Sequence, residues 1–249
     1  MLMLGGIKSR PDPRDYPYTP RRAGLLGLAP PRQIDRSGAL PPCWNQGPIG
    51  SCEAHAGAAK LWELYPGYQA SRLALYYTGR KLEGRIGQEG METRDTMKVL
   101  QAGVIPESAW PYDLSKVDTP PPSESERRFI GSYARIQGES DLIDHLAHDG
   151  CVVLSFNVPD SFMGNGTFIP STLRGAGWHC VLAVGYDLDH DTGPSIFVRN
   201  SWGDQWGPVG NGHFWMPIAW AVGTDTGDDM WTPHYAPPGT VAGVVIEPA

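Results

Sequence analysis

No run of apolar residues in the 249-residue chain approaches the roughly 20 that a membrane helix needs, so no membrane partner is expected. The opening Met1-Leu2-Met3-Leu4-Gly5-Gly6 is a short apolar stub before Lys8 and Arg10, without the basic leader or longer apolar stretch of a secretory signal. A cytoplasmic location is therefore the expectation. There is no Lys/Arg-rich run, and a formal charge of −7 supplies no cationic field for a phosphate backbone, which sets nucleic acid aside. Cysteine is scarce: Cys43, Cys52, Cys151 and Cys180 are too few for the dense disulfide framework of small secreted domains, so reduced thiols are expected. No internal repeat is visible, which excludes a solenoid.

What is abundant is glycine (31) and proline (24), which with 41% hydrophobic and 19% charged residues points to a loop-rich globular fold rather than a helix bundle. Residues 1–35 are rich in Pro and Arg and read as an N-terminal extension of extended character. Small and apolar residues recur at helical spacing at Ala54, Ala58, Leu61 and Trp62, just after Gly47, Pro48 and Gly50, which puts Cys52 at a helix N-terminus. Further helical patterns lie at 71–78 and 93–101, the second followed by Gly103, so residues 36–120 are expected to form a helical half. A Pro-rich break and residues 124–128 read as a crossing segment. The texture then changes. Residues 152–156, 180–186, 195–198 and 213–216 are short β-prone runs, with one connecting helix expected at 140–148, so residues 121–249 form a β-rich half.

Four residues carry the chemistry. Cys52 at a helix N-terminus meets positive partial charge and unpaired N–H groups, which favour a thiolate. His179 opens a strand of the other half, from where it can reach across a cleft as a base. Asn200, at the end of the next strand, can hold the second imidazole nitrogen without adding charge. Gln46, on the loop before the helix, can donate to the negative oxygen that builds up when an amide is attacked.

Asn45-Gln46-Gly47-Pro48-Ile49-Gly50-Ser51-Cys52 resembles the nucleophile segment of the papain family of cysteine peptidases, in which the oxyanion Gln lies six residues before the Cys. Gly177-Trp178-His179-Cys180-Val181-Leu182-Ala183-Val184-Gly185-Tyr186 resembles the family's His-bearing strand. Asn200-Ser201-Trp202-Gly203, with Trp206-Gly207 and Gly210-Asn211-Gly212-His213-Phe214, resembles its Asn segment, and the chain order Gln, Cys, His, Asn matches. Weaker similarity at Gly90-Met91 and at Glu107-Ser108-Ala109-Trp110-Pro111-Tyr112 extends the likeness over roughly residues 33 to 218. The resemblance implies an α+β, papain-like fold: a helical left domain, a β-barrel-like right domain and the cleft between them. It implies that Cys52, His179, Asn200 and Gln46 are catalytic, that Trp202 shields the His–Asn hydrogen bond, that Trp206 walls the leaving-group side, that Trp178 lies at the cleft rim or in the core, and that Gly90 and Met91 contact an extended peptide, Met91 lining a pocket. No metal or organic cofactor is implied.

The chain departs from the family pattern in three places. Ile49 stands where secreted members carry a disulfide cysteine, and Glu53 follows the nucleophile where an aromatic is usual; a carboxylate there would oppose ionisation of the sulfur. About 35 residues precede the mature-like region, so a long inhibitory pro-domain is not expected, and part of residues 8–35 is expected to lie in or near the cleft. Each residue also has a plainer reading. A helix cysteine taken alone is a small buried hydrophobe, Asn200 alone a turn residue, and Cys52 with His55 or His179 with Cys180 a pair of metal ligands; the four-residue order outweighs all of these. Cys43, Cys151 and Cys180 are expected to be structural, with access left open for Cys43 near the nucleophile loop. Two rivals stay open: a papain-like acyltransferase or peptide ligase, and a catalytically dead peptide-binding scaffold.

Overall fold

The computed structural model describes residues 2–20, 29–123, 126–166, 168 and 175–237. Residues 21–28 of the extension, 124–125 of the crossing segment and the last twelve residues lie outside that description. The chain enters as strand β1 (Gly6–Ile7), continues to β2 (Gln33–Asp35), and then forms helices α1 (Cys52–Leu64) and α2 (Arg72–Leu82), strand β3 (Met91–Glu92) and helix α3 (Thr93–Ala102). The second half holds β4 (Ile130–Ile136), α4 (Gly138–His148), β5 (Val152–Pro159), α5 (Phe162–Asn165), β6 (Gly175–Asp187), β7 (Ser195–Arg199), β8 (His213–Pro217), α6 (Ile218–Ala221) and β9 (Asp229–Tyr235).

Small side chains explain why α1 can be buried on almost every side. Cys52 through Leu61 are all buried, and a Cβ added at Gly57 would fall 2.7 Å from Thr96 Cγ2, so only glycine admits α3 at that distance. Lys60 is taken inside with its charge satisfied, its Nζ 2.6 Å from a Glu63 carboxylate oxygen. Gly103 ends α3 with a positive φ of 95°, its N–H donated to Val99 O.

The nine strands form one sheet in the order β3-β1-β6-β5-β9-β4, with β2 and β7 also on β6 and β8 on β7. The barrel-like half expected from the resemblance is thus an open, branched sheet: β4 pairs only with β9 among the strands, and the path ends there instead of closing on β8. Strand β6 is the shared wall. Cys180, Leu182 and Val184 enter one core with α1–α3, while Val181, Ala183 and Tyr186 enter the other with Phe156, Phe214 and Met230. A strand buried on both faces needs apolar residues at every position, which is why 180–186 reads as a continuous run. Each such Leu, Val or Phe is worth roughly 1.5–3 kcal/mol of burial. No helix among the described residues is long and apolar enough to cross a membrane.

Candidate active site

Helix α1 delivers Cys52 and strand β6 delivers His179 to the same buried seam, where both are fully buried. The Cys180 N–H, next to His179, is donated to the Cys52 sulfur at 3.4 Å. His179 Nε2–H is donated to Asn200 Oδ1 at 2.7 Å, and the Ser201 N–H holds the same oxygen at 2.8 Å. Nδ1, the nitrogen left free by that bond, has no hydrogen-bond partner. Trp202 lies flat on the imidazole, ring centroids 4.7 Å apart and planes 23° from parallel. Trp206 meets Trp202 edge-on at 4.8 Å and is backed by Phe162 at 5.5 Å.

Gln46 is fully buried. Its Oε1 accepts from Ser201 Oγ at 2.6 Å, which leaves the amide Nε2 to donate, to Ile49 O at 2.8 Å and to the carbonyl of Met3 at 3.2 Å. The Met3 carbonyl also accepts from Trp202 Nε1 at 3.1 Å. Ser201 and Met3 are site residues that sequence reasoning missed. Ser201 was within the recognised Asn segment; nothing local marks Met3, because its partners lie 43 and 199 residues away.

The stub therefore lies in the cleft. Gly6 pairs with Trp178 on one wall, antiparallel, and with Met91 on the other, parallel, while the Met91 N–H is donated to Gly5 O at 3.1 Å. At Gly5 and Gly6 the channel admits only backbone. A Cβ at Gly5 would lie 2.1 Å from Gly50 O, one at Gly6 2.9 Å from His179 N, and one at Gly90 2.6 Å from Gly5 O. Further along, Ser9 N–H is donated to Asp229 Oδ2 at 2.8 Å, and Lys8 Nζ stands 5.1 Å from the Trp178 ring centroid. Met91 offers the segment its backbone; the side chain is buried in the first core against Gly79. Cys43, Cys151 and Cys180 are buried, as expected of structural cysteines, so the access left open for Cys43 is not seen, and all four cysteines are unpaired.

The Pro-rich part of the extension lies elsewhere. Arg94 holds Asp15 at 2.7 Å, Pro17 bridges to Arg135, and Tyr18 OH contacts Asp144 and Asp149 at 2.9 and 2.6 Å. Prolines lack the N–H that a strand between two walls uses, whereas Gly5-Gly6 has both the N–H groups and the slimness.

Electrostatics set the resting state. Burial pushes the Cys52 thiol well up, with Glu53 adding to it, against which the N–H groups of Cys180, Glu53 and Gly5 pull down. Burial also lowers His179 to about 4, partly offset by its bond to Asn200. Both shifts disfavour a thiolate–imidazolium pair while the segment is in place. Glu53 itself turns into a buried polar cluster, accepting from Ser155 Oγ at 2.9 Å and Thr93 Oγ1 at 3.3 Å. Burial holds its carboxyl well above the usual range, so its proton is retained and burial is the main force opposing the sulfur. Among the described residues no group of three His, Cys, Asp or Glu side chains could hold a metal ion.

A model of the papain family of cysteine proteases matches residues 30–221. The chain belongs to that family. This papain-family chain is 32% identical to xylellain, a cysteine protease from Xylella fastidiosa, whose crystal structure it matches with a TM-score of 0.80 over 94% of this chain and 96% of that one. It is also 32% identical over 270 residues to an uncharacterised C1-like peptidase of Acanthamoeba polyphaga mimivirus, covering 92% of this chain and 85% of that protein. A cysteine proteinase of Theileria annulata is 29% identical over 182 residues, 70% of this chain, which spans 41% of that longer protein.

Proposed function

We propose that the chain hydrolyses peptide bonds through a thioester on Cys52 and that its own residues 2–9 hold it latent. The observation that carries this reading is a peptide carbonyl, that of Met3, resting on the Gln46 amide beside a His179–Asn200 pair capped by Trp202. A cleft that binds an extended backbone on both walls, with a thiol and an imidazole at its centre, suits amide attack. In the mechanism, opening returns water, the Cys52 proton passes to His179, and the thiolate attacks a substrate carbonyl whose oxygen takes the Gln46 amide and a backbone N–H. His179 protonates the leaving amine; water, with His179 as base, then releases the acid. While closed, burial keeps both groups neutral, so the segment excludes substrate and silences the pair together.

The test is turnover of a peptide library by the full chain beside Cys52→Ala. Cleavage that disappears in the variant, while the circular dichroism spectrum stays unchanged, is the expected result; cleavage that persists would remove Cys52 from the mechanism. Added amine nucleophiles separate hydrolysis from acyl transfer, since a ligase would return amide products and a peptidase the free acid.

A further inference from the structure

Among the described residues three α-helices are preceded by serine; Ser161, before the four-residue α5, makes no capping bond, and the serines before the two long helices α1 and α2 behave differently. Ser71, before α2, caps in the ordinary way, its Oγ accepting the Ala74 N–H at 3.1 Å. Ser51, before α1, makes no capping bond although a serine cap is worth about 1 kcal/mol. Its hydroxyl lies 2.6 Å from Tyr112 OH instead. Tyr112 has one proton and donates it to Gln46 O at 2.9 Å, so Ser51 must be the donor to Tyr112. One phenol thus joins the main chain of the oxyanion donor to the residue immediately before the nucleophile, across the loop 46–51.

The phenol is itself held from three sides. The His55 ring meets it edge-on at 5.1 Å, the Arg72 guanidinium lies 4.6 Å from its ring centroid, and its own N–H is donated to Glu107 Oε1 at 3.0 Å. Arg72 is tied to the same carboxylate at 2.7 Å, and His55 Nδ1–H is donated to Ser51 O at 2.9 Å. Burial raises the Tyr112 hydroxyl to about 12, which keeps it a donor at any working pH. The forgone cap has a second effect. The first-turn N–H groups of α1 are not taken by the Ser51 hydroxyl, and that of Glu53 is among the groups favouring an ionised Cys52. What sets Ser51 apart is the use of its hydroxyl: it is spent on Tyr112 beside the nucleophile instead of on the cap, a local rule overridden where a functional constraint is expected.

We infer that Tyr112 is a positioning residue for the reaction proposed above: its hydroxyl fixes Gln46 relative to Ser51, so that oxyanion donor and nucleophile are held as one rigid loop. The inference rests on the reading of Gln46 as oxyanion donor. Tyr112→Phe removes both bonds and keeps the ring. It is compared with its parent in the full chain carrying Gly5→Val, a side chain for which the closed cleft has no room beside Gly50.

Three readouts apply. Amide turnover falls about tenfold in kcat with KM nearly unchanged, less than the roughly hundredfold or more that outright loss of an oxyanion donor costs. Affinity for a peptide aldehyde, whose adduct places an oxygen on the Gln46 amide, falls by the same factor. Alkylation of Cys52 by iodoacetamide above its ionisation midpoint builds no oxyanion and keeps its rate. Adding Tyr112→Phe to Gln46→Ala makes kcat no worse than Gln46→Ala alone. Full turnover and aldehyde affinity in Tyr112→Phe would overturn the inference, as would a parallel fall of turnover, aldehyde affinity, alkylation and melting temperature, which is what loss of packing alone produces. If Gln46→Ala is itself without effect, the oxyanion reading fails, and with it the inference.

Discussion

Replacing Gly5 by valine in the full chain tests latency without touching a reacting group. A Cβ at this position falls 2.1 Å from Gly50 O and 2.4 Å from Gly50 C, backbone atoms that cannot swing aside. Four of the hydrogen bonds that hold the segment across the cleft, besides the sheet pairing of Gly6 and Ile7, are Met3 O from Gln46 and Trp202, Gly5 O from the Met91 N–H, and the Ser9 N–H on Asp229. At about 1 kcal/mol each these four alone favour closure by about 4 kcal/mol, which leaves an open fraction of at most about one in a thousand. Expelling the segment shifts that population to open, so kcat/KM for a peptide amide rises by roughly two to three orders of magnitude. Gly38→Ala is the control, because a Cβ there meets nothing within 4 Å. The assay is fluorogenic peptide turnover beside a thermal melt. A folded Gly5→Val chain with unchanged turnover would refute the idea that residues 2–9 restrain the site.

Two further outcomes follow from buried charge. The Glu53 carboxyl is protonated in the fold and ionised in the unfolded chain above its ordinary value, so its contribution is complete below about 4.5 and is lost as pH rises toward the raised folded value. Glu53→Gln has no such proton, and its melting temperature relative to the parent should climb between about pH 5 and pH 8; calorimetry giving a flat or falling difference sinks the assignment of a neutral Glu53. Lys60, only 1% exposed and paired with Glu63, cannot be removed alone. Lys60→Met should cost about 3 kcal/mol in urea unfolding and the Lys60→Met/Glu63→Gln double variant much less, whereas equal losses would mean that packing, not charge, dominates.

The parts of the molecule legible from sequence are those whose signal is local. Cys52 at a helix start, His179 on an apolar strand and Asn200 at a strand end are read from ten-residue windows, and α1, α2, α3 and α4 lie within a few residues of their expected bounds. Long-range pairing is where that reading stops. A two-residue strand at Gly6–Ile7 carries no periodicity, and its partners are at Met91 and Trp178. Strands β4 and β9 went unread, since Gly131 sits at the bulge of one and Pro233 interrupts the other, and each supplies the other's register. An open rather than barrel-like sheet likewise depends on which edges meet. Glu53 is read as a threat to the thiolate because sequence gives its position and not its direction; the hydroxyls of Ser155, Thr93 and Thr96 that receive it come from two other elements.

The most direct measurement is of the covalent intermediate. Gly5→Val chain is mixed with a peptide ester, quenched in acid within milliseconds and digested, and the fragment bearing Cys52 is weighed. An acyl mass on Cys52 that forms at the rate of the burst, and that is lost when His179→Ala is introduced, is the expected result. Hydrolysis proceeding with that fragment unmodified, or acylation undiminished without the imidazole, would contradict the account.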